Sequence, residues 1–161
     1  MPSKTGTLLN RRVATSLTAA EINAANPVPH VGVGLQNLAG QSVLLGGIMW
    51  GATVGAPADK ANLILSIICE RGLILGGPLT GASFNLDEDV FDIVLDGSIT
   101  STRFDGYYDF TTPVELEPGN TYGIVMTVSQ RASISGNVDA SLTVFGRQIS
   151  QDRRGFPFIY R

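Results

Sequence analysis

Residues 110–128, FTTPVELEPGNTYGIVMTV, decide how this chain is read. Val114 and Leu116 alternate with Glu115 and Glu117; beyond Pro118-Gly119, the apolar Tyr122, Ile124, Met126 and Val128 alternate with Thr121, Gly123, Thr127 and Ser129. Successive side chains of an extended backbone point to opposite sides, so a period of two marks a strand with one apolar face. Proline presets its own φ and glycine accepts the positive φ of a type II turn, which makes Pro118-Gly119 a tight connection. The stretch predicts an antiparallel hairpin with one face in water.

Working outward, the same signal recurs. HVGVGLQNL (30–38), SVLLGGIMW (42–50), NLILSIIC (62–69), VFDIVL (90–95) and DASLTVFG (139–146) all read as strands. NLILSIIC is apolar on both faces and belongs inside a sheet. RFDGYYDF (103–110) holds an Asp-Gly pair between aromatic residues, the signature of a tight turn or bulge, and FPFIY (156–160) suits an edge strand that tolerates Pro157. One helix is expected, in SLTAAEINAANP (16–27), where Thr18 and Glu21 have capping-box spacing and Asn26-Pro27 stops the run. Eight or nine strands with almost no helix predict an all-β chain. An antiparallel β-sandwich built as a jelly roll of about eight strands, with one short N-terminal helix, fits best, and an immunoglobulin-like Greek key competes with it. Residues 1–15 are expected as an extended N-terminal arm, and 16–161 as a single β-sandwich domain ending in a short basic tail.

The 161 residues suffice to bury a sizeable core without staples, and the lone Cys69 excludes an intrachain disulfide. Only 16% of residues are charged while glycine reaches 19 copies, so the exterior is either rich in Ser, Thr, Asn and Gly or covered by a partner. The net charge of -3 conceals a segregation. Residues 87–117 carry nine carboxylates against Arg103 alone, whereas residues 1–12 hold Lys4, Arg11 and Arg12 and no acid, and the tail has Arg153 and Arg154. Basic ends on an acidic middle suit head-to-tail contacts between subunits, beside the plainer reading of solvated charges. Lys4, Arg11, Arg12, Arg153, Arg154, Phe156, Phe158 and Tyr160 are the candidate subunit contacts. Residues 31–58 are uncharged, but Gly, Gln, Asn and Pro interrupt every apolar run, so no transmembrane segment is expected.

Chemistry is sparsely provided for. His30 is the single imidazole, too little for a catalytic triad partnered with Ser or Cys, or for the several-His metal centre of a cupin-like enzyme. Cys69 sits in an apolar strand, where an inert thiol is expected. Asp87, Asp89 and Asp92 form an acidic run able to offer oxygen donors to calcium, although a solvated loop is the simpler reading and the EF-hand pattern is missing. GLILGGPLTG and LLGGIMWG lack the lysine of a phosphate-binding loop and read as turns, bulges or close backbone approaches. Trp50, Tyr107 and Tyr108 are a conceivable sugar-stacking platform. Three cations near the N-terminus would give weak nucleic-acid contact at most.

The segment YYDFTTPVELEPGNTYGIVMTV, residues 107–128, resembles a hairpin found late in jelly-roll β-sandwich domains of virion structural proteins and lectin-like modules. The resemblance implies a β-sandwich and does not choose a function. Together with the low charge and the missing site, it leads to a non-enzymatic structural virion protein, a capsid or decoration subunit binding copies of itself and other virion proteins, located in the virion and needing no cofactor. The alternative is a glycan-binding or adhesion module, extracellular or at a cell surface.

Overall fold

The computed structural model describes residues 7–36, 40–84, 89–95 and 102–150. Lys4, Asp87, Arg153, Arg154, Phe156, Phe158 and Tyr160 therefore lie outside the described residues, as does the FPFIY strand. Eight strands are formed: β1 (Thr7–Leu17), β2 (His30–Gln36), β3 (Gln41–Val54), β4 (Leu63–Arg71), β5 (Asp89–Val94), β6 (Arg103–Leu116), β7 (Thr121–Gln130) and β8 (Val138–Ser150). They make two four-stranded sheets, ordered β1-β8-β3-β6 and β2-β7-β4-β5, with every neighbouring pair antiparallel. Strand numbers pair as one with eight, two with seven, three with six and four with five, and the pairs alternate between sheets. That is one long hairpin of four rungs rolled into a sandwich, the jelly roll expected from the sequence.

The inner faces supply the core. Val138, Ala140, Leu142 and Val144 of β8 face inward, as their alternation predicts, with Leu65, Ile67 and Cys69 of β4 and Ile124, Met126 and Val128 of β7 in the same buried cluster. β4 lies between β7 and β5, the interior place its two-sided apolar sequence requires. In β3 the inward residues change parity, from Val43 and Leu45 to Ile48 and Ala52, because Gly46 is an extra residue between the pairs Leu45–Gly146 and Gly47–Phe145. A one-residue bulge of this kind re-aims everything beyond it.

The stretch that opened the sequence reading behaves differently from expectation. Its strands exist and Gly119 has the positive φ of a type II turn, 79°, but β6 pairs with β3 and β7 with β2 and β4. Pro118-Gly119 thus carries the chain from one sheet to the other, and no hairpin forms. Leu116 and Tyr122 are both buried at the corner, where the Glu117 N–H donates to the Tyr122 hydroxyl oxygen at 2.8 Å. Alternation identifies a strand's apolar side without saying which partner its edges take. Upstream, residues 110–113 lie between the pairs Leu45–Val114 and Gly47–Asp109, so FTTP bulges opposite Gly46 and Pro113 escapes the ladder. The Asp105-Gly106 pair does not turn; it lies within β6, opposite Gly51 and Trp50.

The expected helix is α1 (Ala19–Ala24), six residues long, and Ser16 and Leu17 belong to β1 instead. Its capping box is complete: the Glu21 N–H donates to Thr18 Oγ1 at 3.2 Å, and the Thr18 N–H donates to Glu21 Oε2 at 2.8 Å. These bonds hold the Glu21 carboxyl below its ordinary range. Two side chains tie that end of the sandwich to the loop before β8. Asn23 exchanges hydrogen bonds with the Ile134 backbone, 2.9 and 3.0 Å, and buried Asp59 accepts from the N–H groups of Ser135 and Gly136.

The outer faces of the two sheets differ. Over β2-β7-β4-β5 lies the segment 72–84, whose Leu73, Leu75, Leu79 and Phe84 pack with Val125 and Ile68 in a second apolar cluster. Val125 is consequently fully buried, and the water-facing side expected for this strand is covered by the chain itself. A Cβ on Gly123 would stand 2.9 Å from Leu73, and one on Gly32 would stand 2.8 Å from Leu75, so both glycines are there to admit the cover.

Candidate self-association surface

No comparable segment among the described residues covers the sheet β1-β8-β3-β6. Cross-strand partners share a face, and rows can be followed across it. Arg12, Thr143, Met49 and Tyr107 form one outward row; Asn10, Phe145, Gly47 and Asp109 form the next; Ala14, Ser141, Gly51 and Asp105 form a third. Leu8, Met49 and Tyr107 are 76%, 45% and 54% exposed, large apolar groups left in water on this side. The Tyr107 ring lies over Gly47, where a side chain would collide with it, and meets Phe145 edge-on at 6.3 Å between centroids.

Both borders of this sheet are strand edges without a partner strand among the described residues. On one side β1 runs its whole length in unbroken register with β8 and carries Arg11 and Arg12, both exposed. The expected arm over residues 1–15 is thus strand from Thr7 onward. Arg12 points to the outer face, and Arg11 shares the side of Leu9 and Val13, which pack on the core. The opposite border is β6, where Asp105, Tyr107, Tyr108 and Asp109 are exposed. Arg103 Nε approaches Asp105 at 3.8 Å, an exposed pair that contributes little.

The alternative sites fare as follows. Trp50, Tyr107 and Tyr108 do not make one platform: Trp50 packs on the core over Gly106, Tyr107 faces outward, and Tyr108 stacks edge-on against Phe110 at 5.2 Å. Tyr107 and Tyr108 are successive residues of β6 and so take opposite faces, with Trp50 on the side of Tyr108. Phe110 in turn meets Phe91 at 5.1 Å, closing the side of the sandwich between β6 and β5. Asp89 and Asp92 are exposed on β5, and among the described residues no three His, Cys, Asp or Glu side chains cluster as metal ligands. His30 donates from Nδ1 to the Val28 carbonyl at 2.8 Å and borders an open groove of about 500 Å3 with Glu21, Pro27 and Pro78. Neither Ser nor Cys lines that groove, and Thr15 supplies its one hydroxyl. Burial, reinforced by the charges of Glu70 and Asp89, pushes the Cys69 thiol up to about 12, which leaves it protonated at neutral pH. No described helix is long and apolar enough to cross a membrane.

No protein-family model and no curated protein matches the chain. Solved structures of similar architecture exist. A chain from infectious bursal disease virus, Gx strain, is 14% identical with a TM-score of 0.40, over 89% of this chain and 33% of that one. A CocE/NonD family hydrolase from Staphylococcus aureus is 8% identical with a TM-score of 0.44, over 92% and 34%. PliG from Aeromonas hydrophila, a periplasmic inhibitor of g-type lysozyme, is 14% identical with a TM-score of 0.35, over 91% and 92%. The chain spans about a third of the length of the first two. At these identities and TM-scores the likenesses carry no activity over to this chain.

Proposed function

We propose that this chain is a structural subunit of a virion, a single jelly-roll capsid or decoration protein that acts by binding copies of itself. The observation that carries the reading is the contrast between the two outer faces. The protein covers one sheet with its own residues 72–84 and leaves Leu8, Met49 and Tyr107 exposed on the other. A chain able to bury the outer face of one sheet, yet leaving large apolar groups in water on the second, has a surface suited to a partner. The poverty in ionisable groups agrees, since a shell subunit needs area more than reactive side chains. A virus is among the settings in which a similar architecture occurs.

The test is purification of the chain and measurement of its mass against concentration and salt, with electron microscopy of any particles. Shells, rings or other regular assemblies support the reading. A monomer at every concentration overturns it, and a monomer retained by a glycan array, with Tyr107 required, replaces it by the glycan-binding alternative.

A further inference from the structure

The two borders of the open sheet differ in charge and match in direction. In the order β1-β8-β3-β6 each strand runs opposite to its neighbour, so β1 and β6 themselves run in opposite directions. A second copy set beside the first in the same orientation brings its β1 alongside β6 with the antiparallel alternation unbroken. We propose that the sheet continues in this way from copy to copy, β6 of one chain pairing with β1 of the next. The proposal rests on the self-association reading above and names the surface through which it operates.

Edge geometry favours this junction. A sheet edge presents unpaired N–H and C=O groups as a template for another strand. β1 offers eleven residues, Thr7–Leu17, with neither proline nor a break in register. From Arg103 to Asp109, β6 keeps an unbroken register with β3, and the FTTP bulge ends the straight part. Seven residues of edge thus meet a longer straight partner.

Charge selects the pairing. β1 contains Arg11 and Arg12 and no carboxylate, whereas the straight part of β6 contains Asp105 and Asp109 with Arg103, a net negative charge. Two β1 edges joined symmetrically would bring arginines near arginines, and two β6 edges would join surfaces that each carry an excess of carboxylate; like charges set opposite one another are unfavourable. The mixed junction sets both arginines of β1 against an edge of net negative charge, whereas a symmetric β6 junction has Arg103 alone to answer two carboxylates from each copy. Continuing the rows without offset places Arg12 of the next copy beside Tyr107 and Arg11 beside Tyr108, the arrangement of a cation at an aromatic ring. A shift of two residues either way keeps every side chain on its own face and places Arg12 opposite Asp105 or Asp109. The contact uses two different patches, so it propagates, closing into a ring where the accumulated sheet twist allows and otherwise running on as a filament.

Charge reversal tests it. One variant carries Arg11→Glu and Arg12→Glu, the other Asp105→Lys and Asp109→Lys; all four side chains are exposed, so far-UV circular dichroism and Tm should match the wild type. Each variant alone is expected to need about tenfold or more concentration to assemble, read by sedimentation velocity. An equimolar mixture should assemble like the wild type, because each reversed edge then meets an edge of opposite sign, and so should one chain carrying all four changes. If the wild type assembles and both variants assemble equally well, or the mixture and the fourfold variant fail to recover, the edge junction is wrong while self-association stands. A wild type that stays monomeric overturns both.

Discussion

The outer faces of the two sheets show how one fold treats the same problem in opposite ways. Over β2-β7-β4-β5, glycines at 32 and 123 thin the sheet surface so that Leu73 and Leu75 can lie against it, and the result is a second apolar cluster with Val125 fully buried. Over β1-β8-β3-β6, Gly47 admits only a tyrosine ring from the same sheet, and that ring remains 54% exposed. Glycine makes room in both places. What fills the room is a leucine-bearing segment in one case and a single half-exposed tyrosine in the other.

Variants that strip or force each face should separate the two. Leu79→Ala, within the cover and 3% exposed, is expected to cost about 2–5 kcal/mol in chemical denaturation, because it removes buried apolar volume and leaves a cavity. Gly123→Ala should cost about 1–3 kcal/mol, since its Cβ would meet the Leu73 backbone carbonyl as well as its side chain. On the open face, Gly47→Ala should cost under about 1 kcal/mol: the colliding group is the far end of Tyr107, free to swing into water at the expense of its contact with Phe145. Equal losses at Gly123 and Gly47 would dissolve the contrast. The double change Met49→Ser, Tyr107→Ser is expected to move stability by less than about 0.5 kcal/mol while weakening assembly in sedimentation. A mild pH effect belongs to neither face. Glu21 has its carboxyl held below its ordinary value of 4.5, so its capping contribution is complete above that pH and fades as acid drives the folded group to protonate. Thermal melts of Glu21→Gln and the wild type should therefore converge at low pH.

Much of the architecture was legible because period-two alternation depends on burial alone. The β8 pattern Ala140, Leu142, Val144 and the central placement of β4 follow directly, as does the Thr18–Glu21 capping box. Connectivity was less legible. PVELEPGNTYG specifies two strands and a turn, but the choice between pairing and crossing depends on β3 and β4 offering neighbours far away in sequence. The cover was missed for a similar reason: GLILGGPLTG has neither period, and its leucines find their faces only against Gly32 and Gly123. At the surface, charge segregation pointed to Arg11 and Arg12, although they stand within a strand instead of an arm. Met49 and Tyr107 went unseen as a pair because the bulge at Gly46 shifts parity in β3, whereas β6 keeps its even-numbered residues inward on both sides of its own four-residue bulge. Buried Asp59 gave no signal at all, since its partners are backbone groups of residues 135 and 136.

The nested pairing of strands also bears on kinetics. Thr7 finds Gln148, and Leu17 finds Val138, so the outermost rung joins the two ends of the described chain. Contacts so remote in sequence form late, after the loop-closure entropy of everything between them has been met, and chains rich in them fold on the slower side of the two-state range. β8 lies between β1 and β3, so a molecule whose β1 is displaced leaves the edge of β8 bare. Whatever binds that edge first, the chain's own β1 or a stranger's, decides whether the molecule matures alone or entangled.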